Sequence, residues 1–287
     1  MNGILSPAGT AVPGRPRGIQ LRTRGRRHGP ITRLVSPSDL GESMKPFVFL
    51  DRVDITSSDA LGFGFHPHSG IATLTLLIEG GFEYEDSTGA TGTMTQGAVE
   101  WMQAGKGVWH RGGATGGRIQ GYQLWVALPP ALENAAPLSR YLDAEAFSMH
   151  GPARVILGEL GGVRSPIAAP SPMNYFEIQL RAGDVWSYAP PQGHDVAWVA
   201  MHKGRLRTPE AITSGELVVF AQGDGPVTFS ADADSGLVLG SAASHPHELV
   251  MGEYSVHTSP EALHTGEIEI RRIAHQLHRQ GRLHPSR

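Results

Sequence analysis

The residues with the clearest chemical potential are His66-Pro67-His68 and, further along the chain, His110 in Gly107-Val108-Trp109-His110-Arg111-Gly112. In a strand, residues i and i+2 point to the same side, so His66 and His68 converge while Pro67 points away. Pro67 donates no ladder hydrogen bond, which suits an edge or bulged position. Three neutral imidazoles on one face of a divalent ion would leave open positions for water, dioxygen or substrate. No carboxylate sits near His110, where a fourth ligand would be expected. Three histidines alone leave the ion its full double positive charge, so an anionic, chelating ligand such as an enolate or phenolate would be preferred.

Other titratable groups read differently. Glu100, beside Trp101, is the one carboxylate considered as a distant helper. Glu83 and Glu85 alternate with Phe82 and Tyr84 and are expected to face solvent. A second His-Pro-His, His245-Pro246-His247, has no third ligand nearby and reads as a surface loop. His194 and His202 flank a strand and are not expected to meet.

The elements that must position these residues are short strands. Ile71 to Ile78 is β-rich and stops at Gly80-Gly81; Phe82 to Glu85 alternates; Asp86-Ser87-Thr88-Gly89 is a hairpin turn; Gln120 to Leu128 is closed by Pro129-Pro130. Continuing the histidine parity through Gly70 would put Ala72, Leu74, Leu76 and Ile78 on the histidine face, unless a bulge at Gly70 breaks it. A second β-rich stretch runs from residue 153 to 241 with a similar rhythm, so a duplicated barrel is expected. Ser259-Pro260-Glu261 is a helix start. Ile270, Ile273 and Leu277 recur at helical spacing between Gly266 and Leu283.

Composition sets the limits. The chain has 287 residues, with 37 Gly and 21 Pro, which favours many turns over long helices. It has no cysteine, which excludes disulfides, Cys-zinc sites and thiol catalysis. A formal net charge of −3 gives no whole-chain signal for nucleic acid. Arg15, Arg17, Arg22, Arg24, Arg26 and Arg27 cluster near the start and leave two readings open, an anion-binding arm or a solvated edge. No signal peptide and no run of membrane-spanning length is visible, so a cytoplasmic protein without a membrane role is the default expectation.

With these residues in hand, the sequence resembles the pirin family of the cupin superfamily from Arg26 to Arg282. The segments that carry the resemblance are Lys45-Pro46-Phe47, Phe63-Gly64-Phe65-His66-Pro67-His68-Ser69-Gly70, Glu85-Asp86-Ser87, the run Gly97 to Gly107, Gln123 to Pro129, Arg154 to Gly158 and Gly252 to Thr258. The resemblance implies an all-β bicupin, two barrels face to face, with a short C-terminal helix. It divides the chain into a flexible basic tail (1–25), an N-terminal barrel (26–135), a linker (136–152) and a C-terminal barrel without a metal set that ends in the helix (153–287). It implies one divalent metal, Fe(II) first, with Ni, Zn or Mn as alternatives, on His66, His68 and His110. The family's glutamate ligand falls on Gly112, and a further family glutamate falls on Ala72. Two roles follow from it: a quercetin 2,3-dioxygenase-like enzyme acting on a small anionic aromatic substrate, or a non-enzymatic, metal-sensing or metal-free module with a protein partner.

Overall fold

In the computed structural model, residues 16–55, 62–223 and 225–283 are described. Among these residues the strands of each half form a seven-stranded sheet opposed to a four-stranded one. In the first half the large sheet runs in the order 138–142, 99–103, 71–79, 119–127, 47–55, 31–35 and 26–28, all antiparallel where paired. The small sheet runs 62–68, 108–114, 82–86, 91–94. The second half repeats the plan with the strands Met173–Leu180, Val196–Lys203 and Ser235–Ala242 at its centre. This is the two-barrel cupin architecture.

The two large sheets pack on each other, which explains their unbroken apolar runs: one face serves the barrel interior and the other a core shared by both halves. Leu74, Leu76, Trp101 and Leu124 meet Tyr175, Trp198 and Val238 there. Phe47 and Trp198 make an edge-on contact at 5.4 Å, and the Tyr122 hydroxyl donates to Ala200 O across the seam. The second barrel's own interior is filled by Phe176, Ile178, Tyr188, Phe220, Phe229 and Leu239. The first barrel keeps its interior open.

Histidine-face parity does not continue past the turn. Gly70 takes a φ of +74° between Gly62–His68 and Ile71–Glu79, a conformation that suits glycine. The inward set therefore becomes Thr75 and Leu77, while Ala72, Leu74 and Leu76 enter the shared core. The supposed glutamate position, Ala72, is fully buried in that core, far from the role of a ligand.

The N-terminal segment and the linker differ from expectation. Residues 1–15 of the expected tail lie outside the described residues, but Ile19–Thr23 is a strand paired with Leu217–Phe220. Ile19, Leu21 and Thr23 alternate with exposed Gln20 and Arg22, so the pattern for an edge strand was present beneath the charges. Arg17 is buried and donates to the carbonyls of Ala221 and His194. Arg22 pairs with Glu210 at 2.7 Å, and Arg24 reaches Thr213 and Glu216, so these cations are committed to the second barrel. The expected linker also contributes a strand, Leu138–Leu142, at the edge of the first large sheet, followed by one short 3-10 turn at Ala144–Ala146.

The helix Pro260–Arg279 starts where its cap predicts, with Ser259 accepting from the Ala262 amide. Its buried stripe is Ala262, Gly266, Ile273 and Leu277. It docks on the first barrel and not on the second: Trp109 Nε1 donates to Ile270 O at 2.9 Å. The segment before it is clamped to the turn after His68. Ser69 Oγ lies 2.9 Å from both Ser255 Oγ and His257 Nε2, and Glu133 accepts from the Thr258 amide and hydroxyl. All of Ser69, Glu133, Ser255 and His257 are buried.

Candidate metal centre

The small sheet of the first barrel brings the three predicted histidines together. His66 and His68 lie on Gly62–His68, His110 on the neighbouring Val108–Ala114, and His110 stands directly opposite His66 in the register. One ring nitrogen from each lies within 4.8 Å of the other two. The ring centroids are 4.3 to 5.0 Å apart.

The outer nitrogens determine which inner ones are free. His66 Nδ1 lies 2.9 Å from Gly64 O, His68 Nδ1 lies 3.0 Å from Tyr254 O, and His110 Nδ1 lies 3.4 Å from Glu100 Oε1. Each partner is an acceptor, so each Nδ1 carries the proton and each Nε2 presents a lone pair to the common point. His110 Nε2 is buried and has no hydrogen-bond partner. A buried nitrogen without a partner is costly unless a cation takes the lone pair.

Burial lowers the His66 pKa to about 4 and that of His68 well below the usual value, with the charge of neighbouring imidazoles adding to the effect. His66 and His68 are thus neutral near pH 7, as metal binding requires. Burial also brings His202 and His245 down to about 4. An unfolded imidazole titrates near 6.5, so protons enter the unfolded chain first as pH falls. The stability gained from keeping these rings neutral is complete above that value and is lost on the way down to about pH 4. Metal-free protein should show a falling urea midpoint between about pH 7.5 and about pH 4.5; a flat or rising midpoint would contradict this account.

Facing the histidines, the large sheet presents one row of opposed residues: Gln123, Thr75, Glu100 and Tyr141, on four adjacent strands. Thr75 donates to Glu100 Oε2 at 2.5 Å, and the Gln123 side chain lies 2.9 Å from the same hydroxyl. Tyr141 places its hydroxyl between Glu100 Oε1, at 3.3 Å, and Asp86 Oδ2, at 3.1 Å. Burial pushes the Glu100 carboxyl up, but the hydrogen bonds from His110, Thr75 and Tyr141 outweigh it and hold the pKa below the ordinary value. Glu100 is therefore in contact with the site and not a distant helper. Sequence reading missed Thr75, Asp86 and Tyr141; an inward strand position taken by a carboxylate amid Val99, Trp101 and Met102 was the available signal.

The histidines open into a cavity of about 690 Å³. Its walls are largely aromatic, including Phe49, Phe63, Phe82, Tyr84, Trp125 and Tyr254, and Arg33 and Arg111 supply cations. Arg33 lies over Phe49, and Phe49 stacks on Trp125 with centroids 4.1 Å apart. At the rim, Glu85 pairs with Arg111 and Arg282, and both arginines flank Phe65. Glu85 is therefore ion-paired, where the sequence suggested solvent. The space beside Gly112 is not open: a Cβ there would meet Phe82 Cε1 at 2.2 Å. Phe82 fills the place where a side chain two residues beyond His110 would stand.

The other histidines stay apart. His245 and His247 lie in a loop, as expected, although the His245 ring is buried. Among the described residues, His66, His68 and His110 form the one group of three placed to share an ion. No helix of the described residues is long and apolar enough to cross a membrane.

Comparison with known proteins agrees with this picture. The family model described as Pirin matches residues 29–126. A Pseudomonas aeruginosa protein named "Putative quercetin 2,3-dioxygenase" is 34% identical over 215 residues, covering 69% of this chain and 74% of its own. A "Pirin-like protein" of Caulobacter vibrioides is 31% identical over 221 residues, covering 73% and 79%. Among solved structures, quercetin 2,3-dioxygenase from Acinetobacter baumannii superposes with a TM-score of 0.81 at 22% identity, over 90% of this chain and 98% of that one. The Escherichia coli pirin YhhW in complex with nickel(II) gives 0.63 at 18% identity, over 80% and 96%. Two barrels, a histidine trio confined to the first, and relatives matched over most of both chains lead to one conclusion: the chain belongs to the pirin family of cupin proteins.

Proposed function

We propose that this pirin binds one divalent metal, Fe(II) by preference and Ni, Zn or Mn as alternatives, on His66, His68 and His110, and oxidises a planar phenolate or enolate with dioxygen. The observation that carries this reading is the convergence of three imidazoles whose outer nitrogens are all committed, with the buried His110 Nε2 left without a partner. The donor set fits: neutral imidazole suits these ions, and three ligands leave coordination positions open. Bound iron(II) would supply the one-electron chemistry that dioxygen requires.

The chain's own residues do the rest. The aromatic walls suit a flat ligand, while Arg33 and Arg111 in the lining are already paired with Asp51 and Glu85, which leaves the ion itself to favour an anionic one. With no carboxylate ligand, the shell stays cationic and selects a ligand that arrives deprotonated. The quercetin named in the first relative is a flavonol of this class and is the natural first substrate to try.

The test has two parts. Protein purified without a histidine tag should carry a divalent metal and gain thermal stability when one is added. Iron-loaded protein should then consume dioxygen with quercetin. A protein that takes up no metal defeats the proposal, whereas metal uptake without oxygen consumption supports a metal-binding or sensing role.

A further inference from the structure

Glu100 presents a problem of charge. Its side chain is almost completely buried on Val99–Gln103, yet its partners are His110, Thr75 and Tyr141, none of them a permanent cation. Asp86, fully buried at the other side of the Tyr141 hydroxyl, is held by that hydroxyl and by the amides and hydroxyl of Thr88 and Ala90. Two carboxylates share one phenol in a dry interior, without a lysine or arginine on either side chain. Buried charge of this kind is costly unless a cation answers it. The arrangement points inward: Glu100 touches the outer nitrogen of His110, and the inner nitrogen of the same ring is the one left without a partner.

Resting on the metal reading above, we propose that Glu100 is the positioning residue that makes a three-histidine shell sufficient. It fixes His110 with Nε2 toward the ion, and it supplies from behind the ring the negative charge that no direct ligand carries. A carboxylate behind a histidine makes the imidazole a stronger donor and locks its orientation. The single Tyr141 hydroxyl proton, shared between Glu100 and Asp86, ties the Glu100 carboxylate in place behind the ring. One carboxylate behind His110, and a second one hydroxyl further out, offset part of the ion's double positive charge and leave an anionic ligand favoured at the open positions. The usual direct carboxylate is thereby moved one layer outward, and the coordination position it would have taken stays available to the substrate.

Cobalt(II) titration of metal-free protein tests this, followed by visible absorption and by thermal melting, on wild type, H110A, E100Q, E100D and Y141F. Glu100→Gln keeps the shape and an acceptor but removes the charge. Expected is a 10–100-fold weaker cobalt affinity for E100Q, of the order seen when a partner behind a metal ligand is lost. The cobalt bands should shift, and the melting temperature of the metal-free protein should be unchanged or higher. E100D, which keeps the charge, should retain more affinity than E100Q, and Y141F should fall between wild type and E100Q. A merely structural Glu100 gives the opposite pattern, with a lower metal-free melting temperature and unchanged affinity, and that result overturns the proposal. Should E100Q fail to fold, Y141F decides, since wild-type affinity there overturns it equally. Wild-type protein that binds no cobalt defeats the metal reading itself, which separates the two failures.

Discussion

Alanine at His110 is expected to abolish metal uptake. His110 is the middle of the constellation: it stands opposite His66 across the strand pair, lies in ring contact with His68, and is the ligand held from behind by Glu100. Its loss leaves two imidazoles, and the affinity should fall by more than the roughly 100-fold that marks the upper end for outer-layer changes. An ion present at about 100 times its Kd stabilises the fold by about 2.7 kcal/mol. In a chain of this size that is a melting shift of about 4–5 °C, and H110A should show none of it. His247→Ala is the matched control. It removes a histidine from the other His-Pro-His, whose rings lie 5.4 Å apart with no third partner, and should leave metal content unchanged. Equal metal uptake by wild type and H110A would remove this site from consideration.

Glutamate at Gly112 should not restore a carboxylate ligand, although it stands two residues beyond His110 on the same strand. The first side-chain atom would lie 2.2 Å from Phe82 Cε1, 2.5 Å from Phe82 Cζ and 2.7 Å from Glu83 O. Overpacking of this sort costs about 1–3 kcal/mol, and placing a carboxylate against an aromatic ring adds to it. G112E should therefore lose about 3 kcal/mol or more in urea unfolding, with no gain in metal affinity. Removing the obstacle changes the outcome. Phe82→Ala removes a partly buried ring and leaves, of these contacts, only the Glu83 carbonyl, at 2.7 Å, in the way; combined with G112E the two effects should sum to less than their separate costs, because the ring and the carboxylate compete for one space. The double variant should bind metal more tightly than G112E. A stable G112E that gains affinity by itself would falsify the assignment of this space to Phe82.

The sequence made the histidine trio legible because a strand has period two and His-Pro-His occupies one face of it. The same rule failed beyond Ser69, because Gly70 turns the chain and the large sheet is buried on both sides. Alternation separates two faces but cannot say which of two buried faces meets the cavity, so Thr75 and Leu77 were overlooked in favour of Leu74 and Leu76. Glu100 was seen but undervalued, since a carboxylate between Val99 and Trp101 gives no hint of what lies across the barrel. Tyr141 lay in a stretch read as linker, and only pairing with Val99–Gln103 brings it to the site. The edge strand Ile19–Thr23 was hidden by its arginines, although the alternation was there to read.

The clamp between the turn after His68 and residues 254–258 has a consequence for how the molecule stores free energy. Tyr254 O holds the outer nitrogen of His68, and Ser255 and His257 hold Ser69 next to it. The carboxyl end of the chain is thus a structural element of the imidazole cluster, and linkage between them is reciprocal. On the metal reading, an ion that favours the ordered cluster also makes opening of the C-terminal helix less favourable, by the same free energy with which a docked helix tightens the ion. Amide exchange along Pro260–Arg279, which carries none of the three histidines, becomes a gauge of whether the first barrel is filled.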